Sequence, residues 1–249
     1  MDISANQDFF EIYLNHFPTS PSLVLVRSVE LKNFPKQYTQ YPVLDLCCGD
    51  GFFASLLGLK GNIYGCNINI DALKIAKRRG VYKDLKCLDV INLDQYPDNM
   101  FNTVISNCAL EHVKGLEFTI KEVARVLKKN GTMIISVPSN NLNMYYPGTK
   151  EKLALYNKRQ AHFNIFSLED WRIILKQFSI LYHYYLFNRE QYKLCITLDS
   201  LPELLGTFYM IYHLITKFVP RNILKCIWRK KLKTIYLQSQ PLLENGGSS

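Results

Sequence analysis

Val43-Leu44-Asp45-Leu46-Cys47-Cys48-Gly49-Asp50-Gly51-Phe52-Phe53-Ala54 decides how this chain is read. An apolar run carrying one acid, Asp45, leads into two closely spaced glycines, and an apolar helix-like segment follows. That order describes a buried parallel strand, a tight turn and a helix opening over a ligand. Gly49 and Gly51 lack a Cβ, so the backbone can turn sharply and let a ligand lie against it. A side chain at Gly51 is expected to fill the space that ligand needs.

Working outward, Asn62-Ile63-Tyr64-Gly65-Cys66-Asn67 reads as a second strand and Ile70 to Arg78 as the helix after it. Asn67 lies at the carboxyl end of that strand, the place where nucleotide-binding strand–helix–strand units hydrogen-bond a ribose. Leu85 to Leu88 reads as a third strand ending in Asp89, placed to reach an adenine edge. Thr103 to Asn107 and Thr132 to Pro138 read as a fourth and a fifth. Strands alternating with helical patterns predict an α/β fold, a parallel sheet covered on both faces. Right-handed crossovers would bring Asp45, Asn67, Asp89 and Asn107 to one sheet edge.

The pieces VLDLCCGDG, IYGCNIN, LKCLDV, DNMFNTVISNCALEHV and VARVLKKNGTMIISVPS, in this order over residues 41–139, resemble the class I S-adenosylmethionine-dependent methyltransferases. The flanks PSLVLVRSVELKNF and HFNIFSLEDWRIILKQF are similar to members acting on small or lipid-like molecules. The resemblance implies a Rossmann-like, doubly wound, mainly parallel sheet with S-adenosylmethionine as cofactor. It implies contacts to that cofactor from Asp45, Cys47, Gly49, Gly51, Asn67, Asp89 and Asn107. Two positions depart from the family pattern. Cys47 replaces a glycine and cannot supply positive φ without cost. Asn67 replaces an acid and loses the charge assistance that roughly doubles a carboxylate's hydrogen bond. The family's complete sheet has seven strands, the last antiparallel. Ile180 to Leu186 reads as a sixth strand, and Thr234 to Leu237 is a candidate for the missing one.

The chain has 249 residues, 48% hydrophobic and 13% aromatic, enough for a sizeable core. It divides into an N-terminal helical cap (1–35), a cofactor-binding domain (36–190) and a C-terminal amphipathic helical extension (191–249). Helices are expected over 7–17 and 22–34, interrupted at Pro18 and Pro21, and Ser167 caps a further helix. Met1 to Phe17 lacks the layout of a secretory signal. Seven cysteines with no Cys-x-x-Cys pair argue against a disulfide framework and suit a reducing cytoplasm. Cys47, Cys66, Cys87 and Cys108 are expected to be small core residues.

Methyl transfer to a hydroxyl benefits from a general base. The candidates are Glu111 and His112, adjacent after the fourth strand, and His162 in the loop Gln160-Ala161-His162-Phe163-Asn164. Leu110 to Val113 also resembles the ubiquinone-pathway O-methyltransferases, in which a metal assists. Cys108 stands where those enzymes carry another glutamate, so no metal is expected. The Asn/Asp-Pro-Pro-aromatic clamp of nucleic-acid base methylases is absent after the fourth strand.

The formal net charge of +9 concentrates at Lys217, Arg221, Lys225, Arg229, Lys230, Lys231 and Lys233. A stripe through Leu204, Phe208, Ile211, Ile215 and Val219 precedes Pro220, and a second amphipathic stretch follows. The uncharged run Leu204 to Thr216 is shorter than the about 20 residues a spanning helix needs. Residues 201–236 therefore read as a helical hairpin that caps an apolar acceptor or makes peripheral contact with a membrane surface. The expected function is methyl transfer to a small-molecule or lipid-like acceptor. A catalytically inactive binding or scaffold protein and an RNA methyltransferase are the alternatives.

Overall fold

A computed structural model describes residues 7–205, 219–239 and 242–243. In chain order, helices α1 (Phe9–His16) and α2 (Pro21–Lys32) precede strand β1 (Val43–Leu46). There follow α3 (Phe52–Leu57), β2 (Ile63–Asn67), α4 (Ile70–Arg78), β3 (Asp84–Cys87) and β4 (Phe101–Asn107). A 3-10 turn at Leu110–His112 leads to α5 (Leu116–Val126) and β5 (Leu127–Ser136). Then come α6 (Asn141–Tyr145), α7 (Lys150–Gln160), α8 (Leu168–Ile174) and β6 (Tyr184–Tyr185). The chain continues with α9 (Arg189–Asp199), α10 (Leu201–Leu205), α11 (Arg221–Gln238) and β7 (Leu242–Leu243).

Two compact units emerge. The first comprises Phe34–Asn140 and Ala161–Ile180, and the second gathers the N-terminal helices, Asn141–Gln160 and the chain from Leu181 onward. Helices α1, α2, α9, α10 and α11 all fall in the second unit.

The first unit holds a five-stranded sheet of order β3-β2-β1-β4-β5, every adjacent pair parallel. This is the α/β, Rossmann-like, doubly wound arrangement the sequence predicts. β5 starts earlier than Thr132, at Leu127, with a register irregularity between Phe101 and Thr103 of β4. α4 forms where its pattern predicts. Asn69 accepts from the Asp71 and Ala72 amides at 2.9 and 3.1 Å, satisfying two donors that a helix start leaves open. Asp71 in its first turn and Lys77 and Arg78 in its last complement the helix dipole. Ser167 caps α8 with a reciprocal Asp170 bond.

One core cluster joins Leu44 and Leu46 of β1 to Cys66, Val104 and the α5 residues Leu116, Ile120 and Val123, all buried. Tyr64, Tyr96 and Phe101 meet there edge to face, with centroids 5.2–6.5 Å apart. Strand alternation sends Asp45 to the face opposite Leu44 and Leu46. Its register neighbour on β2 is Gly65. A Cβ on Gly65 would come within 3.0 Å of the Tyr82 ring and the Cys48 sulfur. Glycine there lets the Tyr82 ring cross β2, and its hydroxyl donates to Asp45 Oδ2 at 2.6 Å.

The expected sixth strand is not part of this sheet. Only Tyr184–Tyr185 is extended, in an antiparallel ladder with Leu242–Leu243 in the second unit. Leu181 is 70% exposed and Ile180 and Tyr182 are also exposed, so that stretch offers no buried alternating face to a sheet. Thr234 to Leu237 lies inside α11, where Leu232 and Tyr236 at helical spacing are buried. Neither segment adds a strand to the five-stranded sheet. The part of the expected hairpin from 206 to 218 lies outside the described residues.

The second unit centres on Asp199, whose carboxylate accepts from Ser22 (3.1 Å), Tyr156 (2.7 Å) and Gln160. α11 is tied to α1 by Arg229, which donates to both Glu11 oxygens at 2.7 Å, and by Lys233, which pairs with Asp8. Lys32 of α2 donates to the carbonyls of Tyr236, Leu237 and Ser239 at 2.9–3.0 Å, closing the carboxyl end of α11.

Burial raises the Asp45 pKa from 3.8 to about 7, partly opposed by the Tyr82 hydrogen bond. Because the folded value lies above the unfolded one, this group's contribution to stability is full below about pH 4. It is lost as pH rises through about 7, on the order of 4 kcal/mol in all. Denaturant titrations of the ligand-free protein between pH 4 and 8 should show this loss, and Asp45→Asn should largely abolish it while still accepting from Tyr82.

Candidate cofactor and catalytic site

The turn after β1 is held from below by the connection between α4 and β3. Arg79 donates from Nε to the Asp50 carbonyl at 2.7 Å and from Nη2 to Asp50 Oδ2 at 2.6 Å. Its guanidinium lies 4.7 Å from the centre of the Phe52 ring. Asp50 Oδ1 accepts from the Phe52 amide at 3.0 Å, and the Cys48 amide reaches the Cys66 carbonyl at 2.9 Å. Arg79 and Tyr82 carry no motif in the sequence. Only the fold places them under this turn.

The two glycines have different reasons to be glycine. Gly49 has φ +56, and a Cβ there meets nothing within 4 Å. Gly51 has φ +73, and a Cβ there would strike the Tyr82 ring at 2.8 Å and Ala76 at 3.3 Å. The expectation that a side chain at Gly51 would first fill ligand space is therefore corrected: it would first displace Tyr82. Open space borders Gly49. Cys47 adopts φ 59, the left-handed conformation that glycine supplies freely and other residues hold at about 1–2 kcal/mol. Burial pushes its thiol, and that of Cys48, well above the usual range, so both stay protonated. No disulfide joins any of the seven cysteines. Cys66 is buried and Cys47 and Cys108 are half-buried, whereas Cys87, expected in the core, is exposed at the end of edge strand β3.

Asn67 ends β2, Asp89 follows β3 and Asn107 ends β4, so the parallel sheet carries all three to the edge that bears the Cys47–Gly51 turn. Asp45 sits within β1, with its carboxyl engaged by Tyr82. Asn67 Oδ1 accepts from the Asn69 amide at 2.8 Å, which leaves its amide nitrogen as donor toward a ligand. Asp89 Oδ1 accepts from the Ile91 amide at 3.2 Å and leaves Oδ2 as an acceptor. An amide donor and a carboxylate acceptor at neighbouring strand ends are the chemistry that the hydroxyls and base edge of a nucleoside, the polar part of S-adenosylmethionine, would engage.

Beyond β4, the Glu111 carbonyl accepts from the amides of Phe163 (2.8 Å) and Asn164 (3.1 Å). The buried Asn164 side chain donates to the carbonyls of Leu110 (2.7 Å) and Val113 (2.6 Å). These bonds pin the 161–164 loop on the 3-10 turn and bring together two histidines distant in sequence. The His112 and His162 rings stack with centroids 5.4 Å apart and 21° between planes. His112 Nδ1 lies 3.2 Å from the Ala161 carbonyl. A carbonyl only accepts, so Nδ1 carries the proton and neutral His112 keeps its lone pair on Nε2. Nε2 is 3.7 Å from Glu111 Oε1, whose side chain is buried. Asn164, which the sequence reading missed, is recognisable only as a buried amide in a loop.

Restoring an acid by Asn67→Asp keeps the acceptor for the Asn69 amide and adds a charged acceptor at the ribose position. Calorimetry should show S-adenosylmethionine binding about fivefold tighter, the gain from one charge-assisted bond replacing a neutral one. Weaker binding by the variant would place Asn67 away from the ribose.

Residues 44–135 match the family described as a methyltransferase domain. The malonyl-[acyl-carrier protein] O-methyltransferase of Priestia megaterium is 28% identical over 145 residues, 54% of this chain and 52% of that protein. The demethylmenaquinone methyltransferase of Symbiobacterium thermophilum is 33% identical over 101 residues, 37% of this chain and 40% of that protein. The chain spans about half the length of the curated relatives it matches. Among solved structures, a Thermotoga maritima protein described as an SAM-dependent methyltransferase and possible histamine N-methyltransferase superposes with TM-score 0.55. It covers 74% of this chain and 86% of its own, and at 22% identity it speaks for the fold. Strand order, the turn after β1 and the matched span together show a methyltransferase domain of the class I, S-adenosylmethionine-dependent kind over residues 44–135.

Proposed function

We propose that the protein transfers a methyl group from S-adenosylmethionine to a small-molecule or lipid-like acceptor. The observation that carries this reading is the alignment along one sheet edge, strand by strand. Asp89, Asn67, the Gly49 turn and the histidine pair after β4 follow one another in the order β3-β2-β1-β4. When bound, S-adenosylmethionine supplies an electrophilic methyl on a sulfonium, suited to in-line transfer. Asn67 and Asp89 hold the nucleoside, and the open space at Gly49 admits it. His112 Nε2 takes the proton of a hydroxyl acceptor, and the Glu111 carboxylate 3.7 Å away balances the imidazolium that forms. His162, stacked on His112, fixes the ring plane.

The acceptor class is supported by the relatives' names, which refer to malonyl-[acyl-carrier protein], ubiquinone biosynthesis and demethylmenaquinone. The free thiols suit a reducing compartment, which fits a cytoplasmic enzyme. Among the described residues, no helix is long and apolar enough to cross a membrane.

The test follows labelled methyl groups into an extract separated into small-molecule, lipid and RNA pools. Label should accumulate in the first two. Accumulation in RNA would favour an RNA methyltransferase, and cofactor binding without any transfer would favour a binding protein. With a hydroxyl acceptor in hand, His112→Ala should lower kcat by about 10²–10⁴-fold, with cofactor affinity within about twofold of wild type. His162→Phe, which preserves the stack, should keep most activity. Equal losses in both variants would move the base to His162.

A further inference from the structure

We propose that the solvent face of α11 rests on an anionic lipid surface. Two sides of this helix differ in what they touch. Leu224, Leu232 and Tyr236 are buried, with the Tyr236 ring 5.7 Å from Phe10 of α1. The cations beside that buried side are neutralised: Arg229 by Glu11, and Lys233 by Asp8 and Glu11. The other side presents large aliphatic residues to solvent, with Ile223 47%, Ile227 44% and Leu237 61% exposed. Positions 223, 227, 230, 234 and 237 succeed one another at three- and four-residue steps and share one helix face. Lys230 and Lys231 are exposed on this side.

Charge selects the partner. α11 contains no aspartate or glutamate of its own, and Lys230 and Lys231 stand exposed beside its aliphatic stripe. A soluble protein gains nothing from leaving three aliphatic side chains in water on one stripe. A nucleic acid would use the lysines but would leave the isoleucines unsatisfied. An acidic bilayer surface satisfies both. The aliphatics enter the headgroup–acyl boundary while the lysines meet the headgroups. At 18 residues with six basic side chains, α11 suits lying on a membrane and not crossing it. This inference stands apart from the methyltransferase reading, because it concerns only the second unit's own surface.

The experiment is flotation of the full chain with vesicles of phosphatidylcholine alone and of phosphatidylcholine mixed with phosphatidylglycerol, at low and moderate salt. The protein should float with the anionic vesicles, remain behind with the neutral ones and dissociate as salt rises. Lys230→Gln with Lys231→Gln should weaken partitioning roughly thirtyfold, two charges' worth near such a surface. Ile223→Ser with Ile227→Ser should abolish flotation at moderate salt. All four positions are exposed, so both variants should keep the wild-type circular dichroism and S-adenosylmethionine affinity. Absence of flotation, equal flotation with both vesicle types, unchanged flotation of the folded variants, or displacement from vesicles by single-stranded RNA would each overturn the proposal.

Discussion

A buried carboxyl held by one phenol organises the site. Asp45 lies inside the central strand, where its buried carboxyl accepts from the Tyr82 hydroxyl at 2.6 Å. Bringing that hydroxyl to β1 requires an aromatic ring to lie across β2, which requires Gly65. The same ring occupies the space below Gly51, so it also dictates what residue 51 can be. The shape of the turn that borders open space at Gly49 thus depends on a side chain from the connection between α4 and β3. Arg79, three residues before Tyr82, secures the other side of the turn through Asp50. Burial of Asp45 is costly when it ionises. The fold accepts that cost in the strand that leads into the Cys47–Gly51 turn, a violation of the kind that functional sites commonly carry.

Much of this was legible in the sequence because it follows periodic burial. β1, β2, β4 and α4 appear where the apolar patterns put them, and the Ser167 cap announces the start of α8. Asn67, Asp89 and Asn107 could be placed because a parallel sheet forces strand ends to a common edge. The Cys47 departure was also legible as a cost, and φ 59 at that residue is where the cost sits.

What could not be read depends on contacts without a period. Tyr82 and Arg79 come from a short connection whose partners are far away along the chain. His112 and His162 were separate candidates in the sequence, and only the Asn164 bonds that clamp the loop to Leu110 and Val113 make them a pair. β6 and β7 are two-residue strands whose pairing is decided by packing alone. Thr234 to Leu237 is β-branched and aromatic enough to pass for a strand, yet burial of Leu232 and Tyr236 at helical spacing overrides that local preference.

The account's central claim is that the edge bearing Gly49, Asn67 and Asp89 binds S-adenosylmethionine. A calorimetric titration of the wild-type chain and of Asp89→Ala tests it most directly. One saturable site per chain is predicted, weakened about tenfold or more in the variant, because a charge-assisted bond to the nucleoside is lost. No heat of binding from a folded wild-type protein, or an affinity unchanged by Asp89→Ala, would contradict it.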